Sequence, residues 1–112
     1  MNKQIHELSV VELTRGLEDR HFSSVEIVKH YLDRINRYNS ELNAFLYVNE
    51  DAIKQAEKID KEIANGNKKP LLGIPLAVKD NFLTVGLPTT ASSLVLKGYY
   101  PQFESTVTKR LL

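Results

Sequence analysis

The spacing of apolar residues near the N-terminus predicts a first amphipathic helix. Apolar side chains recur at intervals of three and four residues and therefore share one helical face: Val10, Leu13 and Leu17. Ser9 precedes this pattern and Glu12 follows three positions later, the capping-box spacing in which each side chain accepts a hydrogen bond from the other residue's backbone N–H. We expect a helix that begins after Ser9 and ends near Arg15–Gly16 or slightly beyond.

A second capping box predicts a longer helix. Ser23 and Glu26 repeat the spacing of the first box. The apolar positions that follow keep the 3.6-residue period of a helix: Val28, Tyr31, Leu32, Ile35 and Tyr38. This helix should run from about Ser24 to about Asn39.

A third predicted helix lies between two segments of strand-favouring composition. Gly66 is suited to cap this helix in a left-handed conformation, and its apolar face comprises Ile53, Ala56, Ile59 and Ile63. The flanking segments, Ala44–Val48 and Leu71–Val78, are rich in apolar, β-branched and aromatic residues, although Pro75 argues against a plain central ladder. Strand, helix and strand form a βαβ unit with parallel pairing. The sequence therefore predicts an α/β fold of helices plus a βαβ unit.

The last third of the chain has weaker signals. Ala91–Leu96 could form a short helix, and Ser105 could cap a last helix whose apolar pattern reaches Leu112 without a stop signal. A parallel sheet of only two strands would also be incomplete. We expect residues 1–112 to be the N-terminal segment of a single larger domain in a truncated chain. A small helical domain with a frayed end explains the same pattern equally well.

The composition excludes several classes of function. The 112 residues carry 15 Lys and Arg against 14 Asp and Glu, and a net charge of +1 gives no electrostatic footprint for nucleic acid or an anionic membrane. Cysteine is absent, which excludes disulfides, cysteine-ligated zinc and thiol catalysis. No signal peptide or membrane span is recognisable. We expect a soluble, cytoplasmic chain that binds no metal or cofactor itself.

Lys79 is the main candidate for chemistry. It ends an apolar run in which Ile74, Leu76 and Val78 would contribute desolvation. Burial favours the uncharged amine, which could accept a proton from a serine hydroxyl directly or through a bridging group. Considered without any relatives, a lysine whose stem packs while its ammonium reaches water is the more common case.

Other polar residues have structural explanations. Asp80 and Asn81 either orient groups around the lysine or shape a turn, and the turn is favoured. Ser92 and Ser93 lack the flanking glycines that would let backbone N–H groups approach an oxyanion, so we assign them a structural role. Three dispersed histidines form no metal motif and are assigned to surface or packing roles: His6, His21 and His30.

The segment Gly73–Asn81 resembles the catalytic motif of the amidase-signature family. The resemblance continues through Thr84, Gly86, Thr89 and Thr90, and it covers essentially the whole chain, including Ile5–Leu17, Phe22–Glu26, Leu42–Phe45 and Tyr100–Val107. Within the family, the chain resembles in particular the N-terminal portion of the A subunit of glutamyl-tRNA(Gln) amidotransferases.

The resemblance implies a fold and a reaction. The family folds as a mixed β-sheet flanked by helices and uses a Ser-cisSer-Lys triad, in which Lys79 takes the position of the lysine. Glutamine would be hydrolysed, and the ammonia would convert Glu-tRNA(Gln) to Gln-tRNA(Gln). The implied partners are amidotransferase subunits B and C in a heterotrimer. The partner subunit would use ATP and Mg²⁺ and would make most of the contacts with tRNA.

The triad is incomplete in this sequence, because the family carries both serines in a downstream segment. We therefore expect the 112-residue chain alone to be inactive. Two alternatives remain open. One is a fragment of a stand-alone carboxamide amidase, and the other is a non-catalytic helical interaction module in which Lys79 has no role.

Overall fold

The computed structural model describes residues 3–112, which contain four α-helices and no β-strand. The helices are α1 (Val10–Glu18), α2 (Ser24–Leu42), α3 (Ala52–Ala64) and α4 (Thr106–Leu111), with 3-10 turns at Ile5–Glu7 and Leu94–Leu96. The described residues form two compact units. We call residues 3–45 and 50–75 the helical unit, and residues 46–49 and 76–112 the loop unit. Across residues 3–112, every helix is too short or too polar to cross a membrane.

Both predicted capping boxes are present. The Ser9 hydroxyl accepts a hydrogen bond from the Glu12 N–H at 3.3 Å, and the Glu12 carboxylate accepts one from the Ser9 N–H at 2.8 Å. In α2 the corresponding distances between Ser23 and Glu26 are 3.1 and 2.7 Å. Each box satisfies backbone donors that have no partner inside the helix. The predicted starts of α1 and α2 are therefore confirmed.

The end of α3 is also as predicted. Gly66 adopts a left-handed conformation with φ of +86°. Its N–H donates to the Ile63 carbonyl at 3.0 Å, and the Asn67 N–H donates to the Glu62 carbonyl at 3.0 Å. These two bonds form a Schellman motif, which satisfies carbonyls that the last helical turn leaves free.

The helix α2 continues to Leu42, three residues past the predicted stop at Asn39. The left-handed residue that ends it is Asn43, with φ of +50°. The Asn39 side chain is engaged elsewhere, because its amide donates to the Phe45 carbonyl at 2.9 Å and accepts from the Phe45 N–H at 2.8 Å. Asn39 therefore caps the segment after the helix instead of interrupting the helix itself.

The core of the helical unit forms between α1 and α2. Leu13, Leu17 and Ile27 are buried against one another, and Ile27 has no exposed surface. Half-buried apolar residues pack around this cluster: Ile5, Leu8, Phe22, Tyr31, Ile63 and Ile74. The predicted apolar faces of the first three helices thus contribute to one core.

A buried polar contact ties two further segments to the start of α2. The Asp60 carboxylate of α3 accepts hydrogen bonds from the backbone N–H groups of Ser24, at 2.7 Å, and Val25, at 3.2 Å. The buried Ser24 hydroxyl donates to the Gly73 carbonyl at 2.9 Å. A carboxylate at a helix N-terminus is stabilised by the helix dipole and by the free N–H groups there.

The predicted βαβ unit is wrong for residues 3–112. In its first segment, Ala44–Val48, every side chain is exposed, including 55% of Leu46. The Phe45 N–H and C=O, which a strand would present to a neighbour, are both bonded to Asn39. Strand-favouring composition acts only where a partner and a buried face are available.

The second predicted strand, Leu71–Val78, is replaced by turns. Leu71 and Gly73 both have left-handed backbones, with φ of +63° and +86°, which an extended strand cannot contain. The Ile74 N–H closes a turn on the Leu71 carbonyl at 3.0 Å. Pro75 adds a residue without an N–H donor. Gly73 and Ile74 of this segment pack against the helices instead of pairing with a strand.

His6 and His30, which are 24 positions apart in the sequence, meet in the helical unit. The His6 Nδ1 lies 2.9 Å from the His30 Nε2, and the rings stack with centroids 5.1 Å apart. Partial burial lowers the pKa of His30, and the nearby His6, Arg34 and Arg37 lower it further, against a smaller opposite effect of Asp33. The folded chain therefore disfavours the doubly protonated pair.

We predict that the helical unit loses stability as the pH falls below about 6.5, the ordinary pKa of histidine. The unfolded chain then binds more protons than the folded chain, because His30 titrates lower when folded, so the free energy of unfolding decreases with falling pH. Urea unfolding followed by helical circular dichroism at pH 7.5 and 5.5 measures this slope. The variant His30→Gln should reduce it, whereas His21→Gln, at an exposed position, should not. Equal slopes in the two variants would contradict the prediction.

A second prediction concerns the packing of Gly73. A Cβ on Gly73 would lie 3.0 Å from the Leu17 Cδ1 and 3.3 Å from the Ile63 Cδ1, whereas one on Gly66 would meet nothing within 4 Å. Both glycines have φ of +86°, so alanine costs roughly 1–2 kcal/mol of backbone strain at either site. Gly73→Ala should lower the free energy of unfolding by about 1 kcal/mol more than Gly66→Ala, because of overpacking. Indistinguishable losses in urea unfolding would disprove this close packing.

Candidate functional site

Lys79 begins a β-turn in the loop unit. The Phe82 N–H donates to the Lys79 carbonyl at 3.0 Å and closes the turn. The Lys79 side chain is exposed, as are 42% of Leu76 and 39% of Val78. The predicted desolvation of Lys79 is therefore not found within residues 3–112. Ile74, the third residue expected to contribute, packs against the core of the helical unit.

Asp80, the next residue, is the most highly bonded side chain of this region. Its carboxylate accepts hydrogen bonds from the Thr90 N–H at 3.0 Å, from the Thr90 hydroxyl, and from the Ser92 N–H at 3.3 Å. Its backbone carbonyl accepts a fourth bond from the Ala91 N–H at 2.9 Å. Both the side chain and the main chain of Asp80 are thus fixed to the loop formed by residues 90–92.

The charge of Asp80 is stabilised by these donors. Partial burial raises the pKa of the Asp80 carboxyl, but the Thr90 hydroxyl and the N–H groups of Thr90 and Ser92 together lower it by more. The resulting pKa lies below the ordinary value of 3.8. Hydrogen bonds to a carboxylate favour its ionised form, so Asp80 is an anion that holds the loop at neutral pH.

The loop held by Asp80 contains two strained residues. Ala91 and Ser92 are both left-handed, with φ of +49° and +56°, although neither is a glycine. A left-handed backbone costs such residues free energy, and it persists only where surrounding contacts determine it. Here those contacts are the hydrogen bonds that Ala91 and Ser92 donate to Asp80.

Several other serines and threonines of the loop unit have structural roles. The Ser93 hydroxyl accepts from the Val95 N–H at 3.3 Å and starts the 3-10 turn, and the Ser105 hydroxyl accepts from the Thr108 N–H at 3.1 Å and caps α4. The Thr89 N–H donates to the Tyr99 carbonyl at 3.0 Å. The predicted short helix in 91–96 is reduced to the 3-10 turn Leu94–Leu96, and the predicted last helix is confirmed.

The turn favoured for Asp80 and Asn81 is present, because the Phe82 N–H closes it on the Lys79 carbonyl at 3.0 Å. The sequence did not predict the further role of the Asp80 carboxylate. Its donors lie ten and twelve positions ahead, in Thr90 and Ser92. The signal available in the sequence was the polar pair Thr89–Thr90 among apolar neighbours, since buried threonines require hydrogen-bond partners.

We predict that Thr90→Val raises the pKa of Asp80, because the variant keeps the burial of the carboxyl but removes one donor. A ¹³C NMR titration of the Asp80 carboxyl measures the change. In the wild-type chain, the contribution of ionised Asp80 to the stability of the loop should be complete above pH 3.8. This contribution should be lost as the pH falls through the lower pKa of folded Asp80. Thr106→Val, at an exposed position in α4, is the control. An unchanged pKa in Thr90→Val would refute the assignment of the hydroxyl as a donor.

Comparison with known proteins connects this site to a family. The model of the Amidase family matches residues 26–112. The chain is 43% identical over 110 residues to an A subunit of glutamyl-tRNA(Gln) amidotransferase from Clostridium acetobutylicum, covering 96% of this chain and 23% of that relative. It is 47% identical over 103 residues to the corresponding A subunit of Prochlorococcus marinus, covering 90% of this chain and 21% of that relative. The chain thus spans less than a quarter of the length of these relatives.

A solved structure gives the same result in three dimensions. It is described as an inhibitor-bound complex of "an unexpected vestigial protein complex" that "reveals the evolutionary origins of an s-triazine catabolic enzyme". The two chains superpose with a TM-score of 0.83 and are 29% identical, and the match covers 93% of this chain and 23% of the other. The arrangement of turns and helices described above is therefore similar to that of one segment in a longer protein.

Proposed function

The chain belongs to the Amidase family, and on that premise we propose that residues 1–112 form the lysine-bearing part of a glutamine-hydrolysing amidotransferase subunit. The observation that carries this proposal is the position of Lys79 within the matched segment 26–112. Lys79 begins a turn whose next residue, Asp80, is held by hydrogen bonds. The similarity to the A subunits of glutamyl-tRNA(Gln) amidotransferases supports glutamine as the amide donor.

The proposed role of Lys79 is proton transfer. The uncharged amine accepts, through a bridging serine, the proton of a nucleophilic serine hydroxyl, and the serine oxygen forms a bond to the side-chain amide carbon of glutamine. The C–N bond then breaks, and the departing nitrogen takes the proton back and leaves as ammonia. Water hydrolyses the remaining acyl-serine ester to glutamate and free serine. Both serines belong to the rest of the family's active site.

The exposure of Lys79 is compatible with this role only if other polypeptide covers the site. Leu76, Val78 and Phe82 surround it in the sequence, and each exposes between 36% and 42% of its surface. A covering segment would bury these apolar side chains together with the lysine stem, and the loss of water would favour the neutral amine. The long part of the relatives that this chain does not match could provide such a cover.

The proposal extends to partners. An ammonia-producing subunit needs a second site where the ammonia is used, and we propose subunits B and C as the partners of the complete assembly. The conversion of Glu-tRNA(Gln) to Gln-tRNA(Gln) would take place in the partner subunit with ATP and Mg²⁺, and tRNA would be held mainly there. A cytoplasmic location follows from this role in protein synthesis.

The isolated 112-residue chain should release no ammonia from glutamine above the uncatalysed rate. Without a serine nucleophile the lysine has no hydroxyl to activate, and groups of such a unit act together and not additively. A coupled glutamate dehydrogenase assay on the purified chain, with Lys79→Ala as the control, measures this. Ammonia release that disappears in Lys79→Ala would contradict the proposed division of the site.

A hybrid subunit tests the positive claim. Residues 1–112 replace the matching segment of the Clostridium acetobutylicum protein, and the hybrid is combined with its partner subunits. We expect glutamine hydrolysis, and we expect Lys79→Ala to reduce kcat by about 10²–10⁴-fold, the usual contribution of a proton-transfer group. Lys97→Ala, which removes another exposed lysine of the loop unit, should leave kcat unchanged.

Two outcomes would overturn the proposal. A folded hybrid that hydrolyses no glutamine would show that this segment does not support the family reaction. A hybrid in which Lys79→Ala and Lys97→Ala behave alike would favour a non-catalytic interaction module in which Lys79 has no role. Circular dichroism of each hybrid establishes that the variants are folded.

A further inference from the structure

We propose that Asp80 is a positioning residue for Lys79, acting through its bonds to the loop formed by residues 90–92; this inference rests on the proposed function of Lys79. Asp80 itself does not touch the reacting atoms. Its contribution is to fix the main chain from which the lysine side chain extends.

The geometry supports this role through the backbone. Lys79 and Asp80 are consecutive residues of one turn, which the Phe82 N–H closes on the Lys79 carbonyl at 3.0 Å. Asp80 is held on its side chain by Thr90 and Ser92 and on its carbonyl by Ala91. Since the lysine side chain is long and exposed, its anchorage at Cα is the part of its position that residues 3–112 determine.

The strain in the loop indicates that this contact is specified and not incidental. A loop that only connected two segments could relax Ala91 and Ser92 out of their left-handed conformations. Both residues instead point their N–H groups at Asp80. The buried Thr90, which is 5% exposed, completes the set of donors.

Positioning matters because proton transfer depends strongly on distance. A misplacement of about 1 Å can cost about 10²-fold in rate, even when the altered residue is remote from the chemistry. A lysine attached to an unanchored turn would sample many positions and reach the bridging serine less often. The expected defect is therefore in kcat, whereas the binding of glutamine should be unaffected.

The test uses the hybrid subunit with two matched substitutions at Thr90. In Thr90→Val the side chain keeps nearly the same shape but lacks the hydroxyl that donates a hydrogen bond to Asp80, whereas Thr90→Ser keeps this hydroxyl. We expect Thr90→Val and Asp80→Asn to lower kcat by about 10–10²-fold with KM for glutamine unchanged. Thr90→Ser should retain most of the kcat of the unaltered hybrid. Thr106→Val is the control for a threonine outside the network, and melting temperatures report folding.

The outcomes separate this inference from the proposed function. If Lys79→Ala abolishes turnover but Thr90→Val retains the full rate, Asp80 does not position the lysine, and the proposed function stands. A rate loss in Thr90→Val that merely follows the unfolded fraction, or a rise in KM at constant kcat, also refutes the inference. If Lys79→Ala retains the full rate, the proposed function fails and the inference fails with it.

Discussion

The Asp80 carboxylate is the constraint on which the loop unit depends. This unit has a single six-residue helix, α4, and few buried apolar side chains, so hydrogen bonds must determine much of its conformation. The Asp80 carboxylate accepts hydrogen bonds from Thr90 and Ser92, and the Asp80 backbone carbonyl accepts one from Ala91. Asp80 thus holds the left-handed residues Ala91 and Ser92 against their intrinsic preference. Hydrogen bonds to a charged acceptor are stronger than those between neutral groups, and they offset this strain.

In the helical unit, the capping motifs and apolar faces that the sequence predicts agree with the observed packing. The capping boxes at Ser9 and Ser23 start α1 and α2 where the sequence predicts, and the Schellman motif at Gly66 ends α3. Such features are predictable because each involves residues within one or two helical turns. The apolar faces are predictable for the same reason, since the helical period alone places Leu13 and Leu17 together.

The features that the sequence did not predict involve distant partners. His6 and His30 are 24 positions apart, and Asp60 lies 36 positions from Ser24, whose N–H donates a hydrogen bond to it. The predicted strands failed for a related reason, because strand composition in Ala44–Val48 specifies no partner to pair with. The residue pattern indicated Lys79 as a candidate and a family resemblance supplied its expected catalytic role, whereas its exposure and the bonding of its neighbour required the structure.

The central claim is that Lys79 transfers protons and does not merely supply positive charge. In the hybrid subunit, Lys79→Arg separates these roles, because arginine keeps the charge on a slightly longer side chain but cannot lose its proton in a protein. The measurement is kcat for glutamine hydrolysis in Lys79→Arg beside Lys79→Ala. We predict that both variants fall to the same low rate. A Lys79→Arg hybrid that approaches the rate of the unaltered hybrid would contradict the account.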